Sequence, residues 1–272
     1  MPGFVLDLRS DPQGGAVVPA RVTNGTLDEL HQCRSVVFMV HGFNVDRADG
    51  TAELTALGAN LPAASGGATV AVLWPGDSII GPLSYPFETS KADDSAVELA
   101  TFIGDNLPQQ PTISFIGHSL GCRVVMQTLR QLWTKNIPVA QVCVMAAAVD
   151  NDSLGSTEEY FNAAQFAGRV GVLYSPADRV LEFAYPLGNL LSAFIHWTPT
   201  SNAALGYSGP CPCGSPPGEP PAGVHGVGIP AADGVDHGDY LPTPTGALNG
   251  RQQAAARFAN SMLAGVTPLV YP

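Results

Sequence analysis

Basic side chains are scarce in this sequence. Its 272 residues include 12 Lys and Arg against 23 Asp and Glu, which gives a formal net charge of −11 at pH 7. Nucleic acids and anionic membrane surfaces both attract Lys and Arg, so this balance argues against either as a partner. An acidic surface also repels anions, and we therefore expect any small-molecule ligand to be neutral.

Long apolar runs are absent as well. No stretch reaches the roughly 18 uninterrupted apolar residues of a membrane span. The segment from Met1 to Pro12 lacks the basic stretch and apolar core of a secretory signal. We therefore expect no stable membrane insertion and a cytoplasmic location.

Cysteine is rare, and its spacing follows no regular pattern. The sequence contains Cys33, Cys122, Cys143, Cys211 and Cys213. An odd number without a regular framework is typical of a reducing compartment. The last two, in the segment CPC, are too close together for an ordinary disulfide, and no His lies at zinc-finger spacing from them. We interpret this segment as a Pro-rich loop and predict no bound metal.

Apolar residues are plentiful, at 45% of the chain, and they occur in short runs. The runs predict strands at Phe4–Leu8, Ala16–Val22, Ser35–Val40, Thr69–Leu73, Thr112–Ile116, within Val139–Val149, and at Arg169–Tyr174. Helical spacing predicts helices at Thr51–Leu61, Lys91–Leu107, Gly121–Trp133, Ser156–Phe166 and Arg251–Leu263. This alternation predicts one α/β domain over residues 1–272, with a mostly parallel sheet covered by helices on both faces and an antiparallel pair at its start.

One segment breaks the alternation. Residues 198–245 are rich in Gly and Pro, and we predict a loop insertion there. The stretch Leu181–Trp197 just before it is apolar and aromatic. It is either a helix that covers a site or an ordinary core helix.

The strongest motif is GHSLG at Gly117–Gly121, between a predicted buried strand and a predicted helix. A serine on so sharp a turn presents its hydroxyl at the carboxyl edge of the sheet. The residues two before and two after it must be very small, and both are glycine. We predict that Ser119 is a nucleophile. Without the strand before it and the helix after it, the motif would be interpreted as a simple Gly-rich turn.

A second motif, HGFN, follows the strand SVVFMV directly. Acyl transfer needs N–H donors aimed at the oxyanion that forms in the transition state. We predict that the main-chain N–H groups of Phe43 and Leu120 supply them. His41 is expected to be structural, while Asn44 either orients the loop or binds substrate.

A serine nucleophile needs a general base, and where the serine lies on a strand-to-helix turn of this kind the base follows it in the chain. His196, His225 and His237 all come late enough. His237, in VDHGDYL shortly before the final helix, is the best placed. His225 remains an alternative, and His196 lies in the apolar stretch.

The base in turn needs a carboxylate at the end of a strand. Asp178, after RVGVLYSPA, is favoured because its strand is nearer to the expected His loop. Asp150 is an alternative whose carboxylate could instead cap a helix, and Glu182 is a weaker option.

Together, HGFN, GHSLG, a strand followed by SPAD, and DHxxYL resemble the α/β-hydrolase superfamily. More closely, they resemble a bacterial family of serine esterase-like proteins with HGFN and GHS-[LM]-G motifs. The resemblance covers Ser35–Leu263. It implies the α/β-hydrolase fold, a triad of Ser119, Asp178 and His237, oxyanion donors at Phe43 and Leu120, no cofactor, and hydrolysis of small-molecule carboxylic esters.

Substrate contacts are predicted for Asn44, His118 and Trp74. An apolar acyl pocket could also use Phe43, Tyr85, Phe87 and the aromatic stretch from Phe183 to Trp197. The same triad would serve an amidase, a thioesterase or an acyltransferase, and the same scaffold could serve as a non-catalytic binding module.

Overall fold

The computed structural model describes residues 3–10, 15–62, 66–77, 85–107, 111–184, 203–211, 218–242 and 248–272, with the backbone alone at 85–88 and 184. The strands are β1 Gly3–Arg9, β2 Val17–Asn24, β3 Ser35–Val40, β4 Gly67–Leu73, β5 Thr112–His118, β6 Gln141–Met145, β7 Arg169–Tyr174 and β8 Val224–Gly228. The α-helices are α1 Leu27–His31, α2 Arg47–Ala59, α3 Tyr85–Asn106, α4 Gly121–Thr134, α5 Phe161–Phe166, α6 Leu205–Ser208 and α7 Gly250–Leu263.

All eight strands belong to one sheet, in the order β2-β1-β4-β3-β5-β6-β7-β8. Each neighbouring pair is parallel except β1 and β2, which are antiparallel. The predicted mostly parallel sheet is therefore confirmed. Because β1 is also parallel to β4, the single strand that runs against the others is the edge strand β2.

The middle of the sheet is built from continuous apolar runs. Five of the six residues of β3 and all seven of β4 are buried. Strands covered by helices on both faces need apolar side chains on both faces, which explains why these segments do not alternate with polar residues. Phe38 of β3 and Phe115 of β5 stack with ring centroids 5.5 Å apart, at the centre of the core.

Helix boundaries depart most from the prediction at the amino ends. Helix α2 begins four residues before Thr51, because the Asp46 side chain accepts a hydrogen bond from the Asp49 N–H and caps the helix earlier. Helix α7 begins at a capping box formed by Asn249 and Gln252. Both starts are set by polar capping groups, whereas the predictions followed the apolar periodicity.

The Gly/Pro-rich segment is not a loop throughout, and the predicted loop is wrong where regular elements occur in it. Residues 224–228 form β8, which extends the sheet beside β7, and residues 205–208 form α6. The short sequence VHGVG has two glycines, and among the described strands it pairs only with β7, so its apolar signal is weak. Of the apolar stretch Leu181–Trp197, only the part up to Ala184 is described, and Val180–Ala184 is a π-helical turn.

The cysteines are not all reduced. Cys33, Cys122 and Cys143 are free thiols, whereas Cys211 is disulfide-bonded to a partner outside the described residues. The cysteine pattern typical of a reducing compartment therefore does not hold for Cys211.

Helix packing leaves no room for larger side chains at the start of α4. A Cβ atom on Gly121 would overlap the main-chain carbonyl oxygen of His41, and one on Gly117 would lie 3.0 Å from the Cα of Cys122. These obstacles are backbone atoms, which cannot swing away as a flexible side chain can. Two glycines thus let α4 begin directly against the ends of β3 and β5.

Among the described residues, no helix combines the length and apolar composition that a membrane crossing requires.

Candidate active site

Ser119 lies on the sharp turn between β5 and α4. Its φ of 54° is in the left-handed region, which costs a non-glycine residue roughly 1–3 kcal/mol. Hydrogen bonds hold it there: its N–H donates to the Met145 carbonyl at 3.1 Å, and its own carbonyl accepts from the N–H of Ala148 at 3.1 Å. A turn held in this conformation presents the serine side chain at the carboxyl edge of the sheet.

The side chains of Ser119, His237 and Asp178 meet at that edge. The Nε2 atom of His237 lies 2.7 Å from Ser119 Oγ, and its Nδ1 atom lies 2.8 Å from Asp178 Oδ2. Asp178 is fully buried, and its other carboxylate oxygen accepts a hydrogen bond from the Leu181 N–H at 3.0 Å. The structure therefore brings together the three residues that the sequence favoured, from the ends of β5 and β7 and from the loop after β8.

The HGFN loop is anchored by a buried histidine and a buried tryptophan. His41 Nδ1 donates to the Gly42 carbonyl at 2.9 Å, and its Nε2 accepts from the Trp74 main-chain N–H at 3.3 Å. The Trp74 indole N–H donates to the His41 carbonyl at 2.9 Å, and the two rings stack. Trp74 is 0% exposed, so its predicted substrate contact does not fit the structure, in which it supports the loop.

This loop runs directly against the turn that carries Ser119. A Cβ atom on Gly42 would lie 3.0 Å from the Ser119 Cβ, a spacing that only glycine tolerates without a shift. Phe43, the next residue, is half-buried, and Leu120 lies at the N-cap of α4 with its side chain buried. Asn44 is exposed and has a φ of 58°. Its main-chain N–H donates to the Gly76 carbonyl at 2.7 Å, and this bond helps to hold the turn.

His118 contacts the residue predicted as the base. Its Nε2 lies 2.9 Å from the main-chain carbonyl oxygen of His237, and the two rings have centroids 5.1 Å apart. Burial lowers the pKa of His118 to about 3, so the ring is neutral at physiological pH and Nε2 carries the proton that it donates. The substrate contact predicted for His118 stays a prediction.

The rival residues lie elsewhere. Asp150 forms a backbone bridge with Ala204, Glu182 is exposed, and His225 lies on β8 opposite Gly171. Phe183 is 67% exposed at the end of the described part of its segment. His196, Trp197 and the side chains of Tyr85 and Phe87 lie outside the described residues.

Sequence reasoning missed Asp236. One carboxylate oxygen of Asp236 accepts hydrogen bonds from the main-chain N–H groups of His237, at 2.8 Å, and Arg179, at 3.0 Å. The Asp236 N–H donates to the carboxylate of Asp239 at 2.9 Å, which completes a capping box around the turn. The pattern D-x-x-D before an aromatic residue is the signal that could have indicated it.

Comparison with known families identifies the family to which the fold belongs. Residues 23–191 match the family described as "Alpha/beta hydrolase of unknown function (DUF900)". The chain belongs to this family. The match includes the HGFN and GHSLG motifs and Asp178, and it ends before His237. The α/β-hydrolase fold expected from the sequence is thereby confirmed.

Solved structures with a similar fold are only distantly related to this DUF900 member. A carboxylesterase from Mesorhizobium loti is 20% identical, with 87% of this chain and 91% of that chain covered and a TM-score of 0.42. Esterase PE8 is 13% identical, with 96% and 99% covered and a TM-score of 0.47. No curated protein matches the chain.

The buried His41 predicts a pH-dependent stability. Burial lowers its pKa from the ordinary 6.5 to about 4, so the unfolded chain binds this proton at a higher pH than the folded chain. The resulting stability is complete above 6.5 and is lost as the pH falls toward 4. Between pH 7.5 and pH 5, we expect wild type to lose about 2 kcal/mol more unfolding free energy than His41→Gln.

Urea denaturation at a series of pH values measures this difference. His31→Gln, at an exposed position in α1, is the matched control and should keep the pH dependence of the wild type. Superimposable pH profiles for wild type and His41→Gln would contradict the assignment of a buried neutral ring.

Proposed function

We propose that the protein is a serine hydrolase that cleaves carboxylic esters through an acyl-enzyme. The observation that carries the proposal is the line of contacts from Asp178 through His237 to Ser119, with distances of 2.8 and 2.7 Å. An imidazole that bonds a carboxylate on one nitrogen and a hydroxyl on the other is the arrangement that activates a serine.

In the proposed acylation step, Ser119 Oγ attacks the ester carbonyl carbon while His237 Nε2 takes the hydroxyl proton. Asp178 keeps the other ring proton on Nδ1 and stabilises the positive charge that the ring acquires. Collapse of the tetrahedral intermediate breaks the bond to the alkoxy group, which leaves as an alcohol with the proton from His237. In the second step, His237 takes a proton from water, the resulting hydroxide attacks the acyl-enzyme, and the proton returns to Ser119 as the acid leaves.

The negative charge on the tetrahedral intermediate needs donors beside Ser119. We assign this role to the main-chain N–H groups of Phe43 and Leu120. Support comes from the close approach of Gly42 to the Ser119 side chain and from the position of Leu120 at the amino end of α4. The partial positive charge at a helix amino end favours an oxyanion there.

The preferred substrates are proposed to be neutral esters with short to medium acyl groups. The net charge of −11 disfavours the approach of anionic substrates. His41 and His118, both held uncharged by burial, add no positive charge of their own to bind a substrate carboxylate or phosphate.

Replacing the nucleophile tests the proposal. Ser119→Ala should lower kcat/KM for a 4-nitrophenyl butyrate substrate by about 10³-fold or more, because no acyl-enzyme can form. Ser114→Ala, at a buried serine on the preceding strand β5, is the matched control and should turn over like the wild type. Equal turnover by wild type and Ser119→Ala would refute the proposal, and matched amide and thioester substrates would rank the alternative chemistries.

A second pair of variants distinguishes the two candidate acids. Asp178→Asn should lower kcat by about 10³- to 10⁴-fold, because an amide that donates to Nδ1 places the ring proton on Nε2, where it blocks proton transfer from Ser119. Asp150→Asn, at the rival position, should keep kcat within about threefold of the wild type. A larger loss at Asp150 than at Asp178 would reverse the assignment.

A further inference from the structure

The turn that carries His237 is short, and one of its residues is a glycine with open space around it. Residues 237–239 form a single 3₁₀ turn, closed by a hydrogen bond of 2.9 Å from the Asp239 N–H to the Asp236 carbonyl. Gly234 before it has a φ of 57°, and a Cβ atom on Gly238 would meet nothing within 4 Å. A turn that is this short and open does not fix a side chain by its own packing. The position of His237 must therefore depend on contacts from other segments.

Asp236 provides the first of these contacts. One of its carboxylate oxygens accepts from the His237 N–H at 2.8 Å and from the Arg179 N–H at 3.0 Å. Arg179 directly follows Asp178, so a single oxygen joins the backbone beside the acid to the backbone of the base. Hydrogen bonds to a carboxylate are shorter and stronger than those between neutral groups. The Asp236 carboxylate can therefore hold the loop of Asp178 and the loop of His237 together.

His118 provides the second contact, at the main-chain carbonyl of the same residue. Its Nε2 donates to the His237 carbonyl oxygen at 2.9 Å. His118 directly precedes Ser119, so this bond joins the backbone of the base to the turn that carries the nucleophile. Burial lowers the pKa of His118 to about 3, and the ring therefore stays a neutral donor when His237 becomes charged.

Side chains from α7 and from the end of β7 also hold this turn in place. Asp239 accepts from the Asp236 N–H at 2.9 Å and forms an ion pair of 2.7 Å with Arg251 on that helix. Ser175, at the end of β7, donates to the Val235 carbonyl at 2.7 Å. The turn is thus tied to β5, β7 and α7 by side chains.

We propose that Asp236 and His118 are positioning residues that hold the main chain of His237 at its N–H and at its carbonyl, and so set its distances to Asp178 and Ser119. The inference rests on the proposed function. Proton transfer tolerates little displacement of the base, and a misplacement of ~1 Å costs about 10²-fold in rate. The positioning residues should therefore act on kcat, with little effect on KM.

The test compares a disruptive and a conservative substitution at each position. Asp236→Ala removes the acceptor, whereas Asp236→Asn keeps a carbonyl oxygen that can accept from both N–H groups. His118→Leu removes the donor, whereas His118→Gln keeps an N–H donor at a similar reach. Asp233→Ala, an exposed acid in the same loop, is the matched control.

With 4-nitrophenyl butyrate, we expect Asp236→Ala and His118→Leu to lower kcat by about 10- to 100-fold, with KM within about threefold of the wild type. Asp236→Asn and His118→Gln should recover most of kcat, and Asp233→Ala should match the wild type. Thermal unfolding of every variant, followed by circular dichroism, separates positioning from general destabilisation.

Three results would overturn the inference: wild-type kcat in both disruptive variants, no rescue by either conservative variant, or losses of kcat that simply follow the drop in Tm.

Ser119→Ala in the same assay distinguishes a failure of this inference from a failure of the proposed function. If it abolishes turnover while Asp236→Ala and His118→Leu do not lower kcat, the proposed function stands and the positioning role fails. If it turns over like the wild type, the proposed function itself fails.

Discussion

The hydrogen bond between Ser119 Oγ and His237 Nε2 joins two segments that lie 118 residues apart in the chain. Its length of 2.7 Å is set by the fold, because contacts from several strands and loops hold the two segments in place. Strands β5, β6, β7 and β8 lie side by side and parallel in one sheet, so their carboxyl ends meet at one edge. The nucleophile, the acid and the base come from the loops at that edge, which is where open parallel sheets usually place their sites.

Three histidines near this edge have different roles because their surroundings differ. His41 and His118 are kept neutral by burial and use their ring nitrogens to bind main-chain groups. His237 keeps part of its ring at the surface and bonds a carboxylate and a hydroxyl instead. Residue type alone does not distinguish them, whereas burial and hydrogen-bond partners do.

Part of this arrangement could be predicted from the sequence because it follows from local constraints. The two glycines around Ser119 are required by backbone atoms that would clash with a Cβ, and buried parallel strands need continuous apolar runs. Chain order and strand ends led to Asp178 and His237.

The rest depends on contacts between distant segments. Strand β8 has two glycines in five residues and becomes a strand through pairing with β7. Asp236 gains its role from Arg179, 57 residues away, and Trp74 is buried by stacking on His41, which no local pattern encodes.

Mass spectrometry after reaction with a fluorophosphonate probe tests the central claim most directly. An activated serine attacks the phosphorus, displaces fluoride and forms a stable phosphonyl adduct, whereas an unactivated hydroxyl does not. We expect a single adduct on the peptide that contains Ser119, and we expect it to be lost in His237→Ala although the serine is still present. No adduct on the wild-type protein, an adduct on another residue, or undiminished labelling of His237→Ala would contradict the account.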